Sequence, residues 1–147
     1  MNKILISCDP GTKYTAFAVF KDRKLIEYTK LRPTLSNVQA FFEQYESFEF
    51  AIEDQYLNLN VKTLIKLVTI RTMITTIARI TNATNCIVIS PSKWQSLILG
   101  VHIRAKRDQR KRLSCMVASS IAKETIKDDN IADAICIGEY VIRKKFC

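Results

Sequence analysis

Three apolar runs, Lys3 to Cys8, Thr15 to Phe20 and Lys24 to Leu31, fill the first 31 residues, and connections of six residues or fewer part them. A parallel crossover needs a dozen or more residues, so strands joined this tightly are predicted to form an antiparallel meander. Asp9-Pro10-Gly11 supplies the first turn and Asp22-Arg23 the second. Pro33 ends the meander, and Ser36 is the expected N-cap of a helix through Val38, Phe41, Phe42 and Tyr45.

Beyond this point strand and helix signals alternate. Phe48 to Glu53 (FEFAIE) reads as a fourth strand. From about Asn60 to Thr81 no Gly or Pro intervenes, and Val61, Leu64, Ile65, Val68, Ile74 and Ile77 recur at helical spacing. Cys86 to Ile89 is a fifth strand, and Pro91 opens a short helix through Trp94 and Leu97 that stops at Gly100. A polar basic loop covers Val101 to Asp108. Helices follow from about Arg107 to Glu124 and from about Asp129 to Arg143. The expected class is α/β, a mixed five-stranded sheet flanked by α-helices. With 147 residues and neither linker nor repeat, residues 1–147 are expected to form a single domain.

Composition narrows the function classes. Lys and Arg total 23 against 14 Asp and Glu, a net charge of +9, which points to a polyanionic partner without saying which. No apolar run approaches the roughly 20 residues of a membrane span, and the N-terminal run is too short for a signal peptide, so a cytoplasmic protein with no membrane partner is expected. Cys8, Cys86, Cys115, Cys136 and Cys147 form no CxxC pair, and His102 is the sole histidine. Buried free thiols are expected, and any metal site must use oxygen ligands.

Three acidic positions stand out. Asp9 closes the first strand, Glu53 closes the fourth, and Asp133 sits in the last helix between Ile131-Ala132 and Ala134-Ile135. Asp129 lies one turn before Asp133 on the same face, with Asn130 nearly as close. Carboxylates from two strand ends and one helix can converge, and a cation resolves their repulsion. All-oxygen ligands favour Mg²⁺ or Mn²⁺, and two such ions about 4 Å apart suit phosphodiester hydrolysis. Three of these acids also have a plainer role: Asp9 as a turn residue, Glu53 as a solvated strand end and Asp129 as a helix cap. The apolar surroundings of Asp133 make it the hardest to explain away. His102 to Arg112 (HIRAKRDQRKR) adds six Lys/Arg, either a solvated face or a set of phosphate contacts.

In order along the chain, CDPGTKYTAFAVF, FAIEDQYLNLNVKTLIKLVTIRTMI, VISPSKWQSLILG with AKRDQR, and DNIADAICIGEYVI resemble the successive motifs of RuvC-type Holliday junction resolvases, within the RNase H-like superfamily. The resemblance covers nearly the whole chain and implies an RNase H-like fold. It also implies a Mg²⁺-dependent endonuclease (Mn²⁺ substituting, two ions per site, no organic cofactor) that resolves four-way or branched DNA in recombination, repair or replication, leaving 5′-phosphate and 3′-hydroxyl ends. Asp9, Glu53 and Asp133 would hold metal. The family's remaining ligand, an Asp or His, falls here on Asn130, so either Asn130 or Asp129 serves, and the anionic Asp129 is preferred. Arg107, with Lys106 beside it, would stabilise charge on the scissile phosphate, and His102 is a lesser candidate. Arg104, Arg110, Lys111 and Arg112 would touch phosphates at a distance, and Lys13, Tyr14 and Tyr56 would meet the junction centre. The resemblance further implies a homodimer, with the long Asn60–Thr81 helix as its dimerising element.

Two rival readings bear on the same residues. A sugar-kinase or actin-like ATPase shares an Asp-x-Gly-Thr hairpin, but three glycines and 147 residues leave no room for its other motifs. A module that binds branched nucleic acid without cutting it is kept open by Asn130. A usage rich in Ile, Lys, Asn and Thr hints at a phage or virus with an AT-rich genome.

Overall fold

The structure, a computed structural model, describes residues 3–55, 60–101 and 105–146. Strands β1 (Ile4–Asp9), β2 (Thr15–Lys21) and β3 (Lys24–Leu31) form the expected meander. Helix α1 (Leu35–Phe42) leads to β4 (Phe48–Glu53), α2 (Val61–Ile80) to β5 (Ala83–Ile89), and α3 (Pro91–Trp94) continues as a π-helical turn, Gln95–Leu99. Helices α4 (Arg107–Ala122) and α5 (Asp129–Phe146) complete the chain. The sheet order is β3-β2-β1-β4-β5, with β4 parallel to both β1 and β5, so the five-stranded mixed α/β sheet is present as expected.

Several boundaries differ from expectation, each for a local reason. Thr34, not Ser36, caps α1, because its Oγ1 is the oxygen that accepts the Asn37 N–H, at 3.2 Å. β5 begins three residues earlier, at Ala83, since an edge strand tolerates the polar Thr84 and Asn85 that masked it. Helix α4 stops at Ala122 because Lys123 takes a left-handed conformation, φ 57°. Asp22 and Arg23 both have positive φ, 49° and 71°, the backbone of a type I′ hairpin turn. Asn60 caps α2, its Oδ1 accepting the Thr63 N–H at 2.9 Å.

Helices cover both faces of the sheet. Along β1 the side chains alternate: Ile6 and Cys8 join Phe17, Phe42 and Phe50 in one core, while Leu5 joins Ala51, Trp94 and Ile135 in the other. Ser7 lies on this second face, donating to the Ala134 carbonyl of α5 at 2.6 Å. Gly138, one turn on, allows the close approach. A Cβ there would stand 2.7 Å from Ser7 Oγ and run into the Phe20 ring. Helix α5 therefore lies directly on β1 and β2, which sets how deep its N-terminal acids sit. Among the described residues no helix is long and apolar enough to cross a membrane. Cys8 and Cys136 are buried, Cys86 and Cys115 half-buried, and all four are free thiols; Cys147 lies outside the described residues.

Candidate active site

Period-two alternation decides which acids meet. Residues 5, 7 and 9 of β1 share one face, as do 49, 51 and 53 of β4, and both face α5. In the parallel pairing Cys8 stands beside Ile52, so the next residues, Asp9 and Glu53, end adjacent strands side by side. Asp54 falls on the opposite face and pairs with Arg71 of α2 at 3.4 Å. Helix α5 brings Asp129, Asn130 and Asp133 over the same strand ends. Together Asp9, Glu53, Asp129, Asn130 and Asp133 line one cleft of about 260 Å³.

The electrostatics of this cleft are unfavourable to its own charges. Asp9, Glu53 and Asp133 are half-buried. Burial, followed by the repulsion of Glu53, Asp133, Asp129 and Asp128, raises the Asp9 carboxyl well above the usual carboxylate range. Burial and the Asp133 charge push Glu53 up to about 8, against the opposing pull of the Trp94 hydrogen bond and Arg110. Burial pushes Asp133 up to about 7, opposed by its hydrogen bond from Ser114 and by Lys111 and Arg110. Two donors thus hold two of the acids: Trp94 Nε1 donates to Glu53 Oε2 and Ser114 Oγ to Asp133 Oδ1, each at 2.5 Å. Neither donor was singled out from the sequence, for Trp94 reads as an apolar helix residue and Ser114 as an unremarkable serine.

The donor set fits a hard divalent cation. Four carboxylates line one cleft, and the buried Gln95 Oε1, which also lines it, has no hydrogen-bond partner. Such an acceptor suits a water held by an ion. Among the described residues no three acidic, His or Cys side chains already stand close enough to hold an ion.

The basic wall differs from expectation. Arg107, Arg110 and Lys111 of α4 all line the cleft. Arg110 and Lys111 were expected to touch phosphates at a distance; one turn of helix after Arg107 brings them instead onto the same face, and Lys111 Nζ pairs with Asp129 at 3.3 Å. Lys106 precedes α4, is exposed and does not line the cleft, and Arg112 is exposed. Asp128, not Asp129, caps α5, its Oδ1 accepting the Asn130 and Ile131 N–H groups while Lys30 pairs with its other oxygen at 2.5 Å. Tyr14 lies at the same end of the sheet, with Lys13, Lys30 and Arg32 cations 5.0–6.0 Å from its ring. Tyr56, His102 and Arg104 lie outside the described residues. A more apolar cavity of about 320 Å³ at the other end of the sheet, between Phe20 and Val141, gathers no comparable set of acids.

The family model described as Lactococcus phage M3 protein (DUF3882) matches residues 15–143. No curated protein matches the chain. Among solved structures, RuvC of Thermus thermophilus is 14% identical, with 97% of this chain and 96% of that one covered at a TM-score of 0.67. The T. thermophilus RuvC in complex with a Holliday junction substrate is 13% identical, with the same coverage and a TM-score of 0.68. Identities this low show the fold: RuvC-like, of the RNase H-like kind.

Proposed function

Because the chain belongs to the Lactococcus phage M3 protein family and carries a RuvC-like fold, we propose that it is a divalent-metal-dependent endonuclease that resolves Holliday junctions and other branched DNA, acting as one domain. The observation that carries this is the meeting of Asp9, Glu53 and Asp133, from two strand ends and a helix, in a cleft walled by Arg107, Arg110 and Lys111. Asp9, Glu53 and Asp133 would hold two Mg²⁺ ions, or Mn²⁺, with Asp129 as the fourth ligand in preference to Asn130. When bound, such ions activate water and neutralise charge on the phosphate.

The chain's own residues do the rest. The raised carboxyls of Asp9, Glu53 and Asp133 make the cleft costly to ionise on its own, so a cation is the partner that lets all three charge at neutral pH. Arg107 and Arg110 reach the same cleft, where a guanidinium fork suits a phosphate's paired oxygens. Lys111 holds Asp129 in place. Lys13 and Tyr14 meet the strand beyond Asp9, and the ring offers a face on which an unpaired base can stack.

A homodimer is part of this proposal. Helix α2 buries only Ile74, Ile77 and Ala78, and leaves Val61 71% and Ile65 60% exposed. A second copy of the chain would cover them, giving two sites for two strands. Asn130 favours one rival, a module that binds branched DNA without cutting it, since it puts a neutral side chain in the cleft.

One assay separates the two. With Mg²⁺ and a labelled synthetic four-way junction, the parent should cut, while Asp9→Asn should bind the junction but lose cleavage. Cutting by the variant at the parent rate would show that the metal assignment is wrong. Binding without cleavage by the parent would leave the rival standing.

A further inference from the structure

Glu53 and Asp133 each enter the cleft with one oxygen already engaged. The Trp94 indole N–H takes Oε2 of Glu53 and the Ser114 hydroxyl takes Oδ1 of Asp133, each at 2.5 Å. Trp94 and Ser114 are each 1% exposed, so water does not compete for either donor. An indole N–H only donates, and the carboxylate is its partner here. The two donors come from different elements, α3 and α4; Trp94 lines the cleft and Ser114 does not. A third group faces the same space: Gln95 Oε1, buried and without a donor.

We propose that Trp94 and Ser114 set the ion preference of the cleft: by drawing on one lone pair of Glu53 Oε2 and of Asp133 Oδ1 they leave the other oxygen of each carboxylate the better ligand, so that each binds a cation through one oxygen, which favours Mg²⁺ and Mn²⁺ over Ca²⁺. This rests on the metal-holding role proposed for Glu53 and Asp133. Ca²⁺ takes roughly six to eight oxygens and readily draws both from one carboxylate. Mg²⁺ demands an octahedron at shorter range, binds carboxylates through one oxygen and keeps several waters. Single-oxygen carboxylates therefore penalise the larger ion. Gln95 Oε1 adds an acceptor for one of the retained waters, which a poorly hydrated ion would leave unused. Trp94 and Ser114 are positioning residues, because they act on the ion through Glu53 and Asp133 and do not touch substrate.

The test is calorimetric titration of the metal-free chain with Mn²⁺ and, separately, with Ca²⁺, for the parent, Trp94→Phe and Ser114→Ala. The parent should bind Mn²⁺ more tightly than Ca²⁺, and each variant should narrow that ratio by about tenfold, the usual scale for losing a hydrogen bond to a metal ligand. Urea unfolding in EDTA shows whether each variant is folded. If Trp94→Phe fails that check because of its lost ring, Ser114→Ala, which deletes one oxygen, carries the test alone. A purely structural role for the two donors would lower stability without moving the ratio. An unchanged ratio in folded Ser114→Ala therefore overturns the inference while leaving the metal site standing. If the parent binds neither ion, both the inference and the metal assignment fall.

Discussion

Replacing Asp133 by Asn should stabilise the metal-free protein while abolishing the junction cleavage proposed for it. Asp133 is pushed from an ordinary 3.8 up to about 7, chiefly by burial. Roughly three units at 1.36 kcal/mol each amounts to about 4 kcal/mol against ionising it in the folded state. The side chain is half-buried and shares its repulsion with its acidic neighbours, so solvent screening and shared titration reduce this to about 2 kcal/mol. Between pH 4 and 7 the folded chain holds a proton that the unfolded chain has released. Stability therefore falls as pH rises through that window, and the full cost is felt above 7. The amide introduced by Asp133→Asn would keep an oxygen for Ser114 Oγ and carry no charge. Urea unfolding in EDTA should then show the variant about 2 kcal/mol more stable than the parent at pH 8 and nearly equal to it at pH 4.5. Excess Mn²⁺ should reverse the order, because only the parent retains its full ligand set. A variant less stable than the parent at pH 8 in EDTA, or equally stabilised at both pH values, would refute the electrostatic cause.

Gly138→Ala should cost about 2–3 kcal/mol, since its methyl would press on Phe20 and Ser7. It should also weaken cleavage by shifting Asp133 within the cleft it shares with Asp9 and Glu53; thermal unfolding and the junction assay read the two effects, and an unchanged melting temperature would contradict the packing. Lys123→Gly should add about 0.5–1 kcal/mol without changing cleavage, because φ 57° costs a lysine but not a glycine; a loss of stability in urea would count against this. Arg110→Ala, at the cleft wall, should weaken junction binding and flatten its dependence on log salt by about one unit. A salt slope identical to the parent's would remove Arg110 from the phosphate contacts.

The recurrence of strand and helix signals was enough to locate all five strands along the chain, because hydrophobic period and turn residues act locally. It also marked Asp9 and Glu53, since both close apolar strands, and Asp133, since nothing apolar around it explains a charge. Local signals failed where two nearby residues competed for one task. Thr34 and Ser36 both cap well in principle, and so do Asp128 and Asp129, yet the helix start is chosen by where Leu35 and the α5 backbone must sit.

By itself, then, the sequence determined the mixed sheet and marked Asp9 and Glu53 as strand-end acids, whereas the parallel register of β1 and β4 put the two on one face. Only the tertiary structure decided what surrounds them. Trp94 is 41 residues from Glu53 and Ser114 is 19 from Asp133, and no local rule pairs side chains across such distances. Those pairs depend on how α3, α4 and α5 dock on the sheet. That docking is set by contacts as particular as the Ser7 hydroxyl on the Ala134 carbonyl and the missing side chain of Gly138. Arg110 and Lys111 reach the cleft for the same reason: a helix shows its charges in sequence, but the partner it packs on decides which of them face an acid.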